Sequence, residues 1–418
     1  MVRLLILGGV LFPALMPAQT PPDILVFARA RTKMQDHLKN QPNYICLETL
    51  ERTQRDPQKK RSSLLDVLRF EVAFVGHKEM YSWPGSNRFD ETELVDMVPA
   101  GGSISTGAFA IHAYNLFLTS SPRILTGEWT ELDGRRLARY PYEVAEMVSG
   151  YRMRVGRVDW AVVGYNGSIW IDPERDEVTQ IEIVADQIPL SLGLKESRSM
   201  LYYGDVKIGG ETYRLPVRTM ESTTTFSDHI SRNEGRFTAC RQFVGESKLS
   251  FGDPPPDEPP PTPQAAIEVT LPEGLTVQVQ LTSPIDSATS QTGDPIEAVL
   301  ASPIKHKKQV LFEKGSRVEG RLLLLQRRGT IIRAEIQFFS IQAGNRRAAF
   351  TAFPQSTSPP NRAPSSLGSG TGAGPPTFQP GRQPGSVHIT IEGSRLTLMK
   401  GSRSLWITTA PPPARKDS

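Results

Sequence analysis

Leu271–Gly320 reads LPEGLTVQVQLTSPIDSATSQTGDPIEAVLASPIKHKKQVLFEKGSRVEG. Apolar and polar residues alternate in short runs, as in Val277-Gln278-Val279-Gln280-Leu281, and Gly or Pro closes most of the runs. A period of two places alternate side chains on opposite faces of an extended chain, so the stretch predicts short half-buried strands joined by tight turns rather than a helix-rich catalytic core.

The same pattern extends on both sides. Further strands are expected at Arg317–Leu325, Thr330–Ser340 and Arg346–Phe353, and again at Val387–Ile391, Arg395–Met399 and Ser404–Thr408, where Trp406 suits a core. Between them residues 354–386 are rich in Pro, Gly and Ser, with little to bury, and read as a disordered insertion. Upstream, DPPPDEPPPTP at 253–263 holds seven prolines in eleven residues. Such a tract favours extended polyproline II and is expected to hold two domains apart.

In the first half, Asp23 is placed to cap a helix over Ile24–Asn40, and Pro42 ends it. A second helix is expected over Thr106–Leu118. Strands are expected at Tyr44–Gln54, Leu64–Val75 and Arg236–Phe251. Hairpin turns are expected at Asp133-Gly134, Asn166-Gly167 and Gly209-Gly210, where these residues supply the positive φ that tight turns need. The fold class is therefore mainly β. An antiparallel meander with one or two helices laid against it is followed by a Pro-rich linker and a second strand-rich domain carrying the insertion. The two resemblances given below imply an incomplete antiparallel barrel for the first domain and a small β-barrel for the second. The divisions are 1–18 (signal peptide), 19–43 (helix), 44–252, 253–265 (linker), 266–353, 354–386, 387–410 (strands completing the barrel) and 411–418 (tail).

Arg3, the apolar run Leu4–Leu15 and Ala18 as a cleavage position read as an export signal, with an uncleaved anchor as the other reading. No later run is long and apolar enough to span a bilayer, so a periplasmic or secreted location is expected, with association at the outer membrane as one form of it. Export would place Cys46 and Cys240 in an oxidising compartment. If their strands pair, a disulfide ties the ends of the first domain together; two separate buried thiols are the other reading.

The formal charge of +4 is uneven: residues 264–418 carry 18 Lys and Arg against 10 Asp and Glu, and residues 1–263 carry 30 against 34. A basic second half can favour anionic polymers or headgroups, although ordinary solvation explains it more simply. The Lys305-His306-Lys307-Lys308 cluster is short and no nucleic-acid motif accompanies it, so no specific nucleic-acid binding is expected.

No catalytic constellation emerges. The six histidines are at least 35 positions apart, and no nucleophile elbow or phosphate loop is present. Neither a metal nor a cofactor site is expected. Glu48, Glu51 and the Asp172, Glu174, Asp176 group read as solvated faces and turns. Phe70, Phe74, Trp83, Trp129, Trp160, Trp170 and Tyr202 are spread over the first domain's strands. If its sheet curls they would line an apolar pocket for a lipid or acyl chain; otherwise they are core.

Two resemblances add to this. Tyr44–Arg52, Asn166–Asp172, Val178–Ala185 and Leu201–Arg218 resemble LolA/LolB-like periplasmic carriers, which implies a half-barrel closed by helices and a lipid ligand. Leu271, Gly274, Leu281, Ile285, Ser287, Gly293, Ala298, Pro303, Ile304, Lys314, Gly315, Ser316 and Gly320 resemble the C-terminal β-barrel of TrbI/VirB10-like secretion proteins, which implies docking to an envelope partner. The expectation is an exported, non-enzymatic module that binds an apolar ligand, or alternatively a structural scaffold of the envelope or of a secretion system.

Overall fold

The computed structural model describes residues 22–86, 89, 94–98, 103, 107, 109–119, 122–153, 155, 160–243, 267–355, 376–381 and 383–410. The expected export signal at 1–18, the Pro tract at 253–263, residues 356–375 of the expected insertion and the tail at 411–418 lie outside the described residues.

Two large sheets dominate. The first has eleven strands and is antiparallel throughout. From one edge its order is β3 (Lys78–Ser82), β2 (Ser63–Val75), β1 (Tyr44–Arg55), then Ile230–Gln242, Glu211–Thr225, Leu194–Ile208, Glu177–Asp186, Gly164–Asp172 and Arg135–Val144, which carries Arg123–Ile124 and Glu128–Leu132. Most neighbours are hairpins. The exceptions are β1, which pairs with Ile230–Gln242 at the far end of the meander, and Arg135–Val144, which pairs with Gly164–Asp172 and Arg123–Ile124 across intervening strands. The sheet curls, and α1 (Ile24–Asn40) lies on its concave side through Val26, Phe27, Ala30, Met34 and Leu38. Asp23 Oδ1 accepts from Leu25 N at 3.0 Å and starts this helix, as its sequence implies. The second helix is shorter than expected: Ile111–Tyr114 is α-helical and Asn115–Thr119 continues as a π-helical turn.

Asp133-Gly134 and Gly209-Gly210 form hairpin turns, all four residues having positive φ. Asn166-Gly167 does not. It lies inside the strand Gly164–Asp172, where Asn166 pairs with Val184 and Glu143. A Cβ on Gly167 would sit 2.0 Å from the Glu182 carbonyl oxygen, so this glycine permits close strand approach instead of a turn.

The second sheet has ten strands between Ile267 and Thr408. Thr276–Leu281 pairs with Pro295–Leu300 and with Arg403–Thr408, while Ser386–Glu392 pairs with Ile331–Ala343, so the C-terminal strands complete this sheet. Gly385 N donates to Ala352 O and Phe338 N donates to Gly385 O, which draws the sheet's two ends together around a core centred on Trp406, Phe338 and Phe350. Part of the expected disordered insertion is strand: Thr377–Pro380 pairs with Ser386–Glu392. Its own side chains are exposed, so the backbone ladder holds it, a contribution invisible to composition.

The expectation that the domains stand apart is overturned. β3 covers β2 only from Glu71 to Val75, leaving a free edge at Val67–Arg69. The second domain fills it: Arg69 N donates to Thr292 O at 2.7 Å and Thr292 N to Val67 O at 3.1 Å. An unpaired edge exposes backbone donors and acceptors, and this short parallel bridge satisfies them. Gly293, at φ 100°, has no room for a side chain because a Cβ would fall 2.0 Å from Arg69 O. Around the bridge Arg69 Nη1 pairs with Asp294 Oδ1 at 2.9 Å, and the Arg321 guanidinium lies 5.7 Å from the Trp83 ring. Beneath it, Gln326 Nε2 donates to Asp66 Oδ2 at 2.9 Å, and Asp66 is already paired with the buried Arg52 at 2.6 Å. A linker sets how far apart domains can move; the polar groups on their surfaces decide whether they meet.

Candidate functional site

The concave face of the first sheet is the place where the expected pocket should lie. Alternation along β1 sends Tyr44, Cys46, Glu48, Leu50 and Arg52 to one side, and all five are buried. Leu68, Phe70, Val72 and Phe74 of β2 join them. The helical segment from Phe109 to Phe117 is packed against this face. Phe109 stacks between Tyr44 and Phe237, with ring centroids 5.0 and 4.9 Å away.

A carboxylate seats that segment. Glu79 Oε1 accepts from Ala110 N at 2.7 Å and Ile111 N at 3.0 Å, while Oε2 accepts from Gly107 N at 2.7 Å and from the Tyr81 hydroxyl at 2.8 Å. Helix N-termini leave backbone donors unsatisfied, and here the cap comes from a strand about 30 residues upstream. No local capping pattern could reveal it.

Of the seven aromatics expected to line one pocket, only Phe70 and Phe74 are fully buried on this inner wall. Trp129 is half-buried at the rim with Arg136 4.0 Å from its ring, and Trp83 belongs to the domain junction. Trp160 is 48% exposed. Trp170 and Tyr202 point to the outer face, because their strand neighbours Ile169, Ile171, Leu201 and Tyr203 point inward; they stack instead with Arg139 and Arg218. Aromatic content predicted a lining, but the period-two geometry divides it between two faces.

Among the described residues the concave face is packed with side chains. The void bounded by Glu48, Leu50, Phe70, Tyr81, Leu94, Phe109, Glu221 and Phe237 has a volume of about 10 Å³, room for roughly one water. A larger groove, about 350 Å³ and open to solvent, lies outside between α1 and the Gly209-Gly210 hairpin, lined by Lys33, Asp36, His37, Asn40, Glu211, Thr212 and Tyr213. Each of these lining residues carries a polar group, several of them charged.

Glu48 is not the solvated residue expected from its sequence. It is 7% exposed on the inner wall, and burial, reinforced by Glu221 and Glu79, pushes its carboxyl well above the usual carboxylate range. Glu51, three residues on, is exposed. His112 is buried too, its ring 4.9 Å from Tyr151, and burial pushes its pKa down to about 4. Asp172 Oδ1 caps its own turn by accepting from Glu174 N and Arg175 N, and Asp176 pairs with Arg29.

These two buried groups give opposite pH dependences. The raised Glu48 pKa contributes stability that is complete below about pH 4.3 and is lost as pH rises through the folded value. The lowered His112 pKa contributes stability that is present above about pH 6.5 and lost as pH falls toward 4. Between those limits the two slopes oppose each other, and above about pH 6.5 Glu48 alone acts. Urea midpoints measured from pH 4.5 to 8 should therefore decline on the alkaline side in the wild type. In Glu48→Gln the decline should vanish and a rise of up to about 3 kcal/mol toward pH 6.5 should emerge, being the His112 contribution. Identical profiles for the two proteins would show that Glu48 is not a buried neutral acid.

Cys46 and Cys240 are bonded, with Cα atoms 4.1 Å apart. A bulge makes this geometry: Ile45 pairs with Arg241 and Leu47 with Thr238, so one extra residue stands opposite Cys46, and Ala239 takes φ 49°. The extra residue turns Cys240 to the inner side that Cys46 occupies.

Among the described residues no helix is long and apolar enough to cross a membrane. No family model matches the chain, and no curated protein matches it. The resemblance of the second domain to TrbI/VirB10-like barrels thus has no counterpart in these comparisons. Among solved structures, the chain is similar to the LolA superfamily protein NE2245 from Nitrosomonas europaea at 12% identity, over 51% of this chain and 94% of that one, with a TM-score of 0.28.

Proposed function

We propose that this chain is an exported, non-catalytic envelope scaffold: two β-rich domains held as one body, whose outer surfaces dock to envelope components. The observation that carries this reading is the filled concave face. A void of about 10 Å³ compares with the roughly 300–1,000 Å³ of a small-molecule site. The backbone bridge at Thr292 supports it as well, since a scaffold needs its parts in fixed relation. Export is supported by the Arg3, Leu4–Leu15 and Ala18 pattern and by the disulfide, which oxidising compartments maintain.

A second reading, an amphipathic guest inside the half-barrel, is favoured by one observation. The Tyr44 and Tyr203 hydroxyls are buried and have no hydrogen-bond partner among the described residues, a costly condition that a guest's polar head would relieve. Solvent extraction and mass spectrometry of the protein purified from its own envelope separates the two. The scaffold reading expects acyl lipid far below one molecule per chain. Stoichiometric lipid that Phe70→Trp expels would overturn it in favour of the guest.

A further inference from the structure

We infer that the basic end of the second domain, headed by the hairpin Ile304–His306/Gln309–Phe312, is a docking surface for an anionic lipid bilayer. The hairpin is a two-stranded sheet of its own, outside the ten-stranded ladder, and Ile304 and Phe312 root it in the core at 1% exposure each. Lys305, Lys307 and Lys308 are exposed, as is Lys314 in the following turn. Arg346 joins them, its guanidinium 5.7 Å from the Phe312 ring. Between Ile304 and Arg317 five Lys and Arg stand against one carboxylate, Glu313. The next acid, Glu319, is engaged by Ser340, Gln342, Arg317 and Arg347. Among the described residues, none of the four lysines is within ion-pairing reach of a carboxylate. Like charges repel one another, and no ion pair among the described residues offsets that repulsion at the four lysines.

The turn sharpens the argument. Lys307 and Lys308 both have positive φ, 45° and 67°. That is the geometry of a type I′ corner, which Asn-Gly fills with little strain and two lysines fill at a cost. The chain thus keeps charge at a position where its own stability would favour other residues.

Position and side-chain chemistry select the partner. The strand Pro295–Leu300 begins next to Asp294 at the domain junction and runs toward the hairpin, so the lysines sit at the end of the domain remote from the junction. None of the exposed residues from Lys305 to Lys314 is aromatic, so the hairpin exposes no full platform on which a base or sugar would stack. A cluster of flexible cations suits an extended anionic plane, where each lysine near the surface raises partitioning roughly five-fold. This inference does not depend on whether the concave face of the first domain holds a guest.

The test is co-sedimentation of the full chain with phosphatidylcholine vesicles containing about 30% phosphatidylglycerol, set against pure phosphatidylcholine. Binding is expected only to the anionic vesicles and should disappear near 0.5 M salt, where the screening length falls to roughly 4 Å. The triple variant Lys305→Gln, Lys307→Gln, Lys308→Gln should weaken partitioning by about 100-fold, while its thermal unfolding stays that of the wild type. Lys→Arg at the same three positions should retain binding, because charge rather than side-chain shape is required. Undiminished binding by the Gln variant overturns the inference. So does a chain that ignores anionic vesicles yet is retained by double-stranded DNA or polyphosphate through these lysines.

Discussion

Replacing Cys46 and Cys240 together with serine is expected to remove the largest single contribution to the stability of the first domain. The bond joins residues 194 positions apart, almost the whole length of that sheet. In the chain-entropy description, closing a loop of this length in the unfolded chain is worth about 5 kcal/mol, and native strain or residual structure can only reduce it. The effect is expected to act through the unfolded state, because a backbone ladder holds β1 to Ile230–Gln242 independently of the bond. Urea unfolding with and without reductant measures it. The midpoint should drop sharply on reduction, and the slope should rise because a chain without the cross-link exposes more surface when it unfolds. A midpoint that does not move would show that the bond is dispensable.

Asp66→Ala should be the most damaging single substitution at the domain junction. Arg52 is 1% exposed, and its Nη2 lies 2.6 Å from Asp66 Oδ2, an oxygen that Gln326 Nε2 also reaches from the second domain. Removing the carboxylate takes a counter-ion away from a buried guanidinium, a loss of up to about 3–5 kcal/mol. Gln326→Ala should cost less, about 1.5–3 kcal/mol, since it removes one hydrogen bond to a charged group and leaves the ion pair in place. Arg52→Met combined with Asp66→Leu should cost the first domain less than Asp66→Ala does, because the desolvation cost disappears with the charges. That double variant still lacks the acceptor for Gln326, so it should loosen the junction alone. Chemical unfolding followed separately through Trp406 in the second domain and Trp170 in the first reads both effects. The wild type should give one transition, and Asp66→Ala should give two. A single unchanged transition in Asp66→Ala would mean that the bridge at Thr292 couples the domains without help.

Much of the fold is legible in residue order. The Ile24–Asn40 helix has the boundaries that Asp23 and Pro42 imply, and Val277-Gln278-Val279-Gln280-Leu281 forms the strand that its alternation describes. Asp133-Gly134 and Gly209-Gly210 turn where positive φ is needed. These features depend on neighbours within a few residues, so a linear reading contains the information. The candidate site was less accessible. Alternation says that a strand has two faces without saying which one will be covered. Glu48 was therefore assigned to solvent although it lies inside, and Trp170 and Tyr202 to a lining although they lie outside.

The sequence alone determined that this is a mainly β chain, where most of its strands run, and which two cysteines would bond if the first and last strands of the meander paired. Tertiary structure decided that those strands do pair, that a bulge turns Cys240 toward Cys46, and that Glu79 caps a helix distant in sequence. It also decided that the concave face is filled and that Thr292-Gly293-Asp294, inside the opening Leu271–Gly320 stretch, completes the open edge of β2 instead of serving only as a turn of its own domain. The physical reason is the same in each case: backbone donors, buried charges and apolar faces demand partners, and the partners stand far along the chain, where only the folded geometry brings them within reach.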